Sequence, residues 1–303
     1  MNRRHFLHTL AVASGAGAGL SEMGIHARAA AGPSSLQVGS QLYGWGQYYE
    51  RMGKEFDSHL DEVLSALRDA GYDYAEGSLD VQTPEKNVRF AERLRAKGLK
   101  PVSFYTGGRL HEAGKAEETV TKTVAAAKIA QTAGFSVINC NPDAIGREKN
   151  DAELKIQADA LRQLGTELNR LGMRLGIHHH TPEMRNEARE FHANFRATPK
   201  EVVGFCYDVH WVYRGGVRPV EALRDYGDRV VSWHLRQSRE QIWWEDMDTG
   251  DIDYSAIGKH ARQHRLPPLY TVELAIEKGT KITRTVVENH QRSLKFVQRV
   301  FAG

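Results

Sequence analysis

The chain of 303 residues carries two cysteines, nine prolines and a formal charge of only +3. Two thiols are too few for a disulfide-stapled scaffold. A near-neutral charge leaves little electrostatic drive for nucleic-acid binding, and none is expected. No apolar run reaches about 18 residues and mean hydropathy is −0.52, so stable membrane insertion is not expected either. The 28 glycines are not periodic and no low-complexity stretch occurs, which excludes collagen-like and disordered classes. What remains, 41% hydrophobic and 26% charged residues, suffices for a sizeable core, and barrels of about 250 residues commonly fold as one domain.

The first 31 residues read as a separate segment. Arg3-Arg4 is followed by an Ala- and Gly-rich apolar stretch from Phe6 to Leu20, and Ala27-Arg28-Ala29 offers a small-residue cleavage site. Charged start, short apolar middle and small-residue end describe a twin-arginine export signal, so a periplasmic or exported protein is expected. The bland alternative is a floppy N-terminus. Setting the segment aside removes Arg3, Arg4, Arg28 and Glu22 and leaves a net charge near +1 on residues 32–303.

From residue 36 onward, short apolar runs alternate with amphipathic helical patterns. Leu36–Trp45 reads as a strand; Leu60, Val63, Leu64 and Leu67 then recur at helical spacing up to Gly71. Glycine stops recur at 71, 98, 134 and 172, each followed by a strand pattern, which is the rhythm of a repeated βα unit. Further strands are read at Val202–Val209, Val230–Leu235 and Tyr270–Leu274. Eight strands, each followed by a helix, give an α/β fold of the (β/α)8 TIM-barrel type, a single domain over 32–303. A doubly wound open sheet fits less well, because Tyr43-Gly44-Trp45-Gly46 is too short and too bulky for a phosphate-binding turn.

Barrel active sites lie at the carboxyl ends of the strands. Glu183, Asp208, His234 and Glu273, one from each of four consecutive strands, stand at such ends. Three carboxylates near one axis repel unless a cation offsets them, so the quartet is expected to hold one divalent metal. Three oxygens and one nitrogen favour Mn²⁺, ahead of Co²⁺, Mg²⁺ and Zn²⁺. Period-two alternation puts His178 with His180, Asp208 with His210, and His234 with Arg236 on the lumen face. It also turns Cys206 inward and Cys140 outward, so the two thiols are expected to stay unpaired.

The stretches Gly176-Ile177-His178-His179-His180-Thr181-Pro182-Glu183, Val203–Asp208 and Val231–Arg236 resemble, in order, strand motifs of the xylose-isomerase-like TIM-barrel superfamily, the sugar isomerase/epimerase family. Gly71–Glu76 is similar to its second-strand signature. The resemblance implies metal binding by Glu183, Asp208, His234 and Glu273, with the two glutamates doubling as acid/base groups. Arg236, where many relatives have lysine, and Trp211, where histidine is frequent, depart from the pattern in the substrate shell, and His210 stands in beside them.

These residues suit proton abstraction next to a carbonyl, through an enediolate that the metal stabilises. Glu183 and Glu273 are expected as acid and base, assisted by His178 and His180. Glu76, Asn141, His210, Arg236, Trp45 and Trp211 are the candidates for contacting a small carbohydrate. Isomerisation or epimerisation is the first expectation. A 3-keto-glycoside lyase or hydratase uses the same intermediate, and a non-catalytic sugar-binding protein is the rival of another class. Export favours a neutral sugar over a sugar phosphate. The paired Trp243-Trp244 in a polar loop suggest a lid or the contact of a homo-oligomer.

Overall fold

The computed structural model describes residues 36–302, so the export-signal reading lies outside the described residues. Each glycine stop read from the sequence does cap a helix: Gly71, Gly98, Gly134 and Gly172 have φ between 73° and 97°, a conformation side-chain-bearing residues avoid. The chain runs β1 (Gln37–Gln41), α1 (Leu42–Arg51), α2 (Leu60–Ala70), β2 (Tyr74–Ser78), α3 (Glu85–Ala96), β3 (Ser103–Gly108), α4 (Ala113–Thr132), β4 (Val137–Pro142), α5 (Asp151–Arg170) and β5 (Arg174–Ile177). It continues through α6 (Arg185–Arg196), β6 (Gly204–Asp208), α7 (Val209–Arg214), α8 (Pro219–Tyr226), β7 (Val230–Leu235), a small hairpin of β8 (Ser238–Arg239) and β9 (Ile242–Trp243), α9 (Tyr254–Gln263), β10 (Leu269–Val272) and α10 (Val286–Phe301).

Eight of these strands close into a parallel barrel in the order β1-β10-β7-β6-β5-β4-β3-β2, which is the (β/α)8 architecture. The helices lie outside it. Leu60, Val63, Leu64 and Leu67 of α2 and Leu161, Leu164 and Leu168 of α5 are buried against the wall, each contributing roughly 1.5–3 kcal/mol by leaving water. Capping boxes, Asn150 with Glu153 and Thr285 with Glu288, fix the starts of α5 and α10.

Several boundaries differ from the sequence reading; the last strand, read at Tyr270–Leu274, spans Leu269–Val272. The first strand ends at Gln41, where α1 begins, because Leu42, Trp45 and Tyr49 form a helical stripe that buries against the body of the protein. Strand β6 ends at Asp208, whose carboxylate Oδ1 caps α7 by accepting from the Trp211 N–H at 2.8 Å. His210 is therefore helical. The helix after β5, which the sequence pattern does not delimit, is α6; Asn186, Glu187 and Ala188 near its start have φ of 48°, 56° and 57°, a left-handed turn inside its span.

Candidate active site

Register builds the site. Asp208 of β6 stands level with His234 of β7, and His234 with Thr271 of β10, so side chains of like phase meet inside the lumen. Glu273 follows β10 directly, and its backbone N–H donates to Leu235 O at 2.9 Å, which carries the ladder one step further.

The lower lumen is a closed set of hydrogen bonds. Glu76 Oε2 accepts from Ser103 Oγ at 2.6 Å and from Asn139 Nδ2 at 2.8 Å, while Asn139 Oδ1 accepts from Ser232 Oγ at 2.7 Å. Gly176 is required beside them: a Cβ there would lie 2.6 Å from Asn139 Oδ1. Glu76 Oε1 takes the remaining contact, accepting from His234 Nε2 at 2.8 Å. Glu76 is thus a floor residue that orients His234, with no face left for a substrate.

Above this floor, one ligand atom from each of His178, Asp208, His234 and Glu273 lies within 4.8 Å of the others. The two imidazoles are held in defined tautomers. Asn141 Nδ2 donates to Pro142 O at 2.8 Å, so its Oδ1 faces His178 Nδ1 at 3.1 Å and accepts that proton; Nε2 then points its lone pair towards Asp208 Oδ2 at 3.3 Å. His234, with Nε2 donating to Glu76, turns Nδ1 towards Glu273 Oε2 at 3.1 Å; although burial opposes it, the pair of carboxylates helps raise the ring's pKa well above the usual imidazole value, so without an ion Nδ1 also carries a proton, the position a metal would take over. A ring-nitrogen lone pair facing a carboxylate oxygen, as at His178 Nε2 and Asp208, calls for a cation between them. Asn141, expected to contact substrate, has both ends of its amide engaged in this positioning.

Burial holds His178 well below its usual pKa, with His180 and His234 adding to the effect, so it stays neutral and available as a ligand. Burial alone would raise Glu273, but Arg236 and His234 outweigh it and hold the carboxyl at about 2. Two ligands about 2.0–2.3 Å from one ion stand up to ~4.6 Å apart, so the four donors fit a divalent cation with slight contraction.

The quartet differs from the expected one in one member. His178 belongs to it and Glu183 does not. Glu183 sits in the loop after β5, where its Oε2 accepts the His180 backbone N–H at 2.7 Å while Oε1 is unpartnered. Its charged neighbours are Glu190 and Lys149 on the α5–α6 side, and burial pushes its pKa up to about 7. His180 remains at the half-buried rim, its ring 4.7 Å from that of His178 and 5.3 Å from Trp211.

Arg236 is buried next to the quartet, with Nη2 2.9 Å from Glu273 Oε1 and 3.9 Å from Asp208 Oδ2. Its guanidinium lies 4.1 Å from the centre of the Trp243 ring and 5.6 Å from that of Trp211. His210 is buried beside them, 5.6 Å from Trp211, and burial lowers it to about 3. Trp45 is elsewhere: on α1 it donates Nε1 to Ser40 Oγ at 3.1 Å and packs 4.4 Å from His290 of α10, away from the mouth. Cys140 and Cys206 are both free and buried.

Sequence reading missed how Trp243 is placed. The β8–β9 hairpin folds over the mouth, turning through Glu240 and Gln241 at φ 52° and 68°. It is latched by Glu277, whose Oε1 accepts the Trp243 N–H at 2.8 Å and whose Oε2 accepts from Arg214 at 3.2 Å. Under this hairpin His178, Asp208 and His234 are fully buried and only Glu273 keeps a little exposed surface. An open groove of about 1050 Å³ over Leu42, Phe56, Phe90 and Phe104 contains none of the clustered groups.

Comparison with known proteins agrees with this architecture. Inosose dehydratase of Geobacillus kaustophilus is 24% identical over 220 residues, 68% of each chain. A solved sugar phosphate isomerase/epimerase of Parabacteroides distasonis superposes with a TM-score of 0.67 at 22% identity, covering 89% of this chain and 95% of that one. A solved L-ribulose 3-epimerase gives 0.70 at 16% identity, covering 88% and 95%. The family model described as xylose isomerase-like TIM barrel matches residues 64–299, and the chain belongs to that family.

Proposed function

We propose that this protein is a divalent-metal-dependent enzyme that removes a proton next to the carbonyl of a neutral keto-sugar or keto-cyclitol, the step shared by sugar isomerases, epimerases and the corresponding dehydratases. The observation that carries the reading is the convergence of His178, Asp208, His234 and Glu273 within 4.8 Å, with both imidazoles turned by partners behind them. A divalent ion held there supplies Lewis-acid polarisation of the carbonyl and stabilises charge on its oxygen. Two carboxylates with two imidazoles suit Mn²⁺, Co²⁺ or Zn²⁺ better than Mg²⁺; Mn²⁺ is our first choice.

The chain's own groups do the rest. His180, beside the quartet and outside its hydrogen bonds, is the candidate to take and return the proton. Its backbone is fixed by Glu183, which replaces the expected acid/base role of that glutamate with a positioning one. Trp211 and Trp243 present ring edges and faces for a sugar, and the hairpin excludes water.

Formal charge supports a neutral substrate. Glu76, Asp208 and Glu273 oppose Arg236, and a dication cancels the remaining two negative charges. A phosphate would then find no counter-charge. The dehydratase branch is favoured by the inosose dehydratase similarity, and the epimerase branch by the fold neighbours alone. We also propose export through the Arg3-Arg4 segment, on its sequence pattern. The test of the function is incubation of metal-free and Mn²⁺-loaded protein with ketoses and inososes in D₂O. Metal-dependent deuterium at the carbon next to the carbonyl is expected; its absence with every substrate overturns the reading.

A further inference from the structure

Two polar side chains flank the ring of His178 without being committed to the protein. The His180 ring lies 4.7 Å from it; the Tyr105 ring lies 5.3 Å from it, edge-on, and 6.3 Å from the ring of His234. Tyr105 is on β3 and shares the phase of Ser103, so it points into the lumen one level above the Glu76 network. It is half-buried, and its hydroxyl keeps accessible surface while having no hydrogen-bond partner among the described residues. The ring nitrogens of His180 are in the same state. Tyr74, the lumen tyrosine of the floor, is the contrast: fully buried and bonded to Thr271 at 2.8 Å. The next position of like phase on β3 is Gly107, exposed and without a side chain, so the strand places nothing over the phenol.

The groups that hold the two ligand rings are occupied in doing so: Asn141 and Asp208 on His178, Glu76 and Glu273 on His234. Arg236, the cationic donor beside the quartet, is drawn to Glu273 at 2.9 Å. A carbonyl presented to the quartet therefore has an uncommitted imidazole and an uncommitted phenol on either side of His178. A phenol donates one hydrogen bond and is uncharged, which suits an oxygen that starts neutral and gains charge.

We infer that Tyr105 is a catalytic residue, its hydroxyl donating a hydrogen bond to the carbonyl oxygen of the substrate and holding that oxygen as the enolate forms. This rests on the proton-abstraction reading above. As His180 takes the α-proton, the C–H electron pair becomes the C=C bond and the carbonyl π pair moves onto oxygen. The phenol keeps its own proton, and no other reactant is needed. A hydrogen bond to an oxygen gaining charge strengthens along the reaction, so it lowers the barrier more than it tightens ground-state binding.

Tyr105→Phe removes the hydroxyl and keeps the ring. The test compares Mn²⁺-loaded parent and variant on a ketose or inosose in D₂O, reading deuterium exchange at saturating substrate. Calorimetry gives the Kd of that substrate and of glycolohydroxamate, an enediolate mimic, and chelator competition gives the Mn²⁺ affinity. Exchange is expected to fall about tenfold or more, and the mimic to bind about tenfold more weakly. The Kd of the substrate should change much less, and the Mn²⁺ affinity not at all. A merely structural role would weaken Mn²⁺, substrate and mimic together. That pattern, or exchange and mimic binding equal to the parent's, overturns the role of Tyr105 while the proton-abstraction reading stands. No exchange by the parent with any substrate overturns both.

Discussion

Replacing Glu76 with glutamine tests whether the floor of the barrel sets the metal affinity. The carboxylate makes three contacts, accepting from Ser103 and Asn139 through Oε2 and from His234 through Oε1. An amide has one oxygen to offer. If its oxygen keeps Ser103 and Asn139, its NH₂ faces His234 Nε2, which must become an acceptor; the proton then moves to Nδ1 and cancels the lone pair aimed at the quartet. If the oxygen keeps His234 instead, the NH₂ confronts two donors and two buried hydrogen bonds are lost, at about 1–3 kcal/mol each. The first arrangement costs less for folding. Loss of such an outer partner lowers metal affinity by roughly 10–100-fold, or about 1.4–2.7 kcal/mol. Mn²⁺ titration against a competing chelator, with circular dichroism to confirm folding, reads this directly. A folded E76Q protein that binds Mn²⁺ as tightly as the parent would refute the orienting role of Glu76 and the place of His234 in the quartet.

Three further expectations follow from single contacts. Gly176→Ala drives a Cβ to 2.6 Å from Asn139 Oδ1 and 2.9 Å from Val231 Cγ2, and should lower stability by about 1–3 kcal/mol in denaturant titration; an unchanged midpoint would show that the floor yields. Glu183 has its folded pKa raised from 4.5 to about 7, so the stability present below pH 4.5 is lost as pH rises towards 7. Glu183→Gln should therefore gain on the parent by about 3 kcal/mol across that window, and equal pH profiles of the two proteins would contradict the burial of this carboxyl. Changing Arg3 and Arg4 to lysine should leave the protein in the cytoplasmic fraction of a twin-arginine-competent bacterium, whereas undiminished export would remove the signal assignment.

Much of this was legible in the sequence, for identifiable reasons. Glycine stops and helical leucine stripes announced the barrel because both are local consequences of backbone geometry. Asp208, His234 and Glu273 were found because strand alternation is strict up to the last paired residue. The same rule failed one step later: His210 was assigned to a strand that Asp208 had already converted into a helix by capping it. Glu183 stands outside the clustered four because its carboxylate is taken up by the His180 backbone N–H, a local turn contact that strand alternation does not announce. Trp45 went astray when a helical stripe was read as the end of a strand. The hairpin over the mouth depends on Glu277, 34 residues beyond Trp243, a pairing that only the folded chain reveals.

The sealed lower lumen also governs traffic. Tyr74, fully buried, ties its hydroxyl to Thr271 at 2.8 Å near the amino ends of the strands, and the Glu76 network is stacked directly above it. With the floor tied off by hydrogen bonds, the quartet opens only towards the carboxyl ends of the strands, where His180, Trp211 and the Trp243 hairpin form the rim.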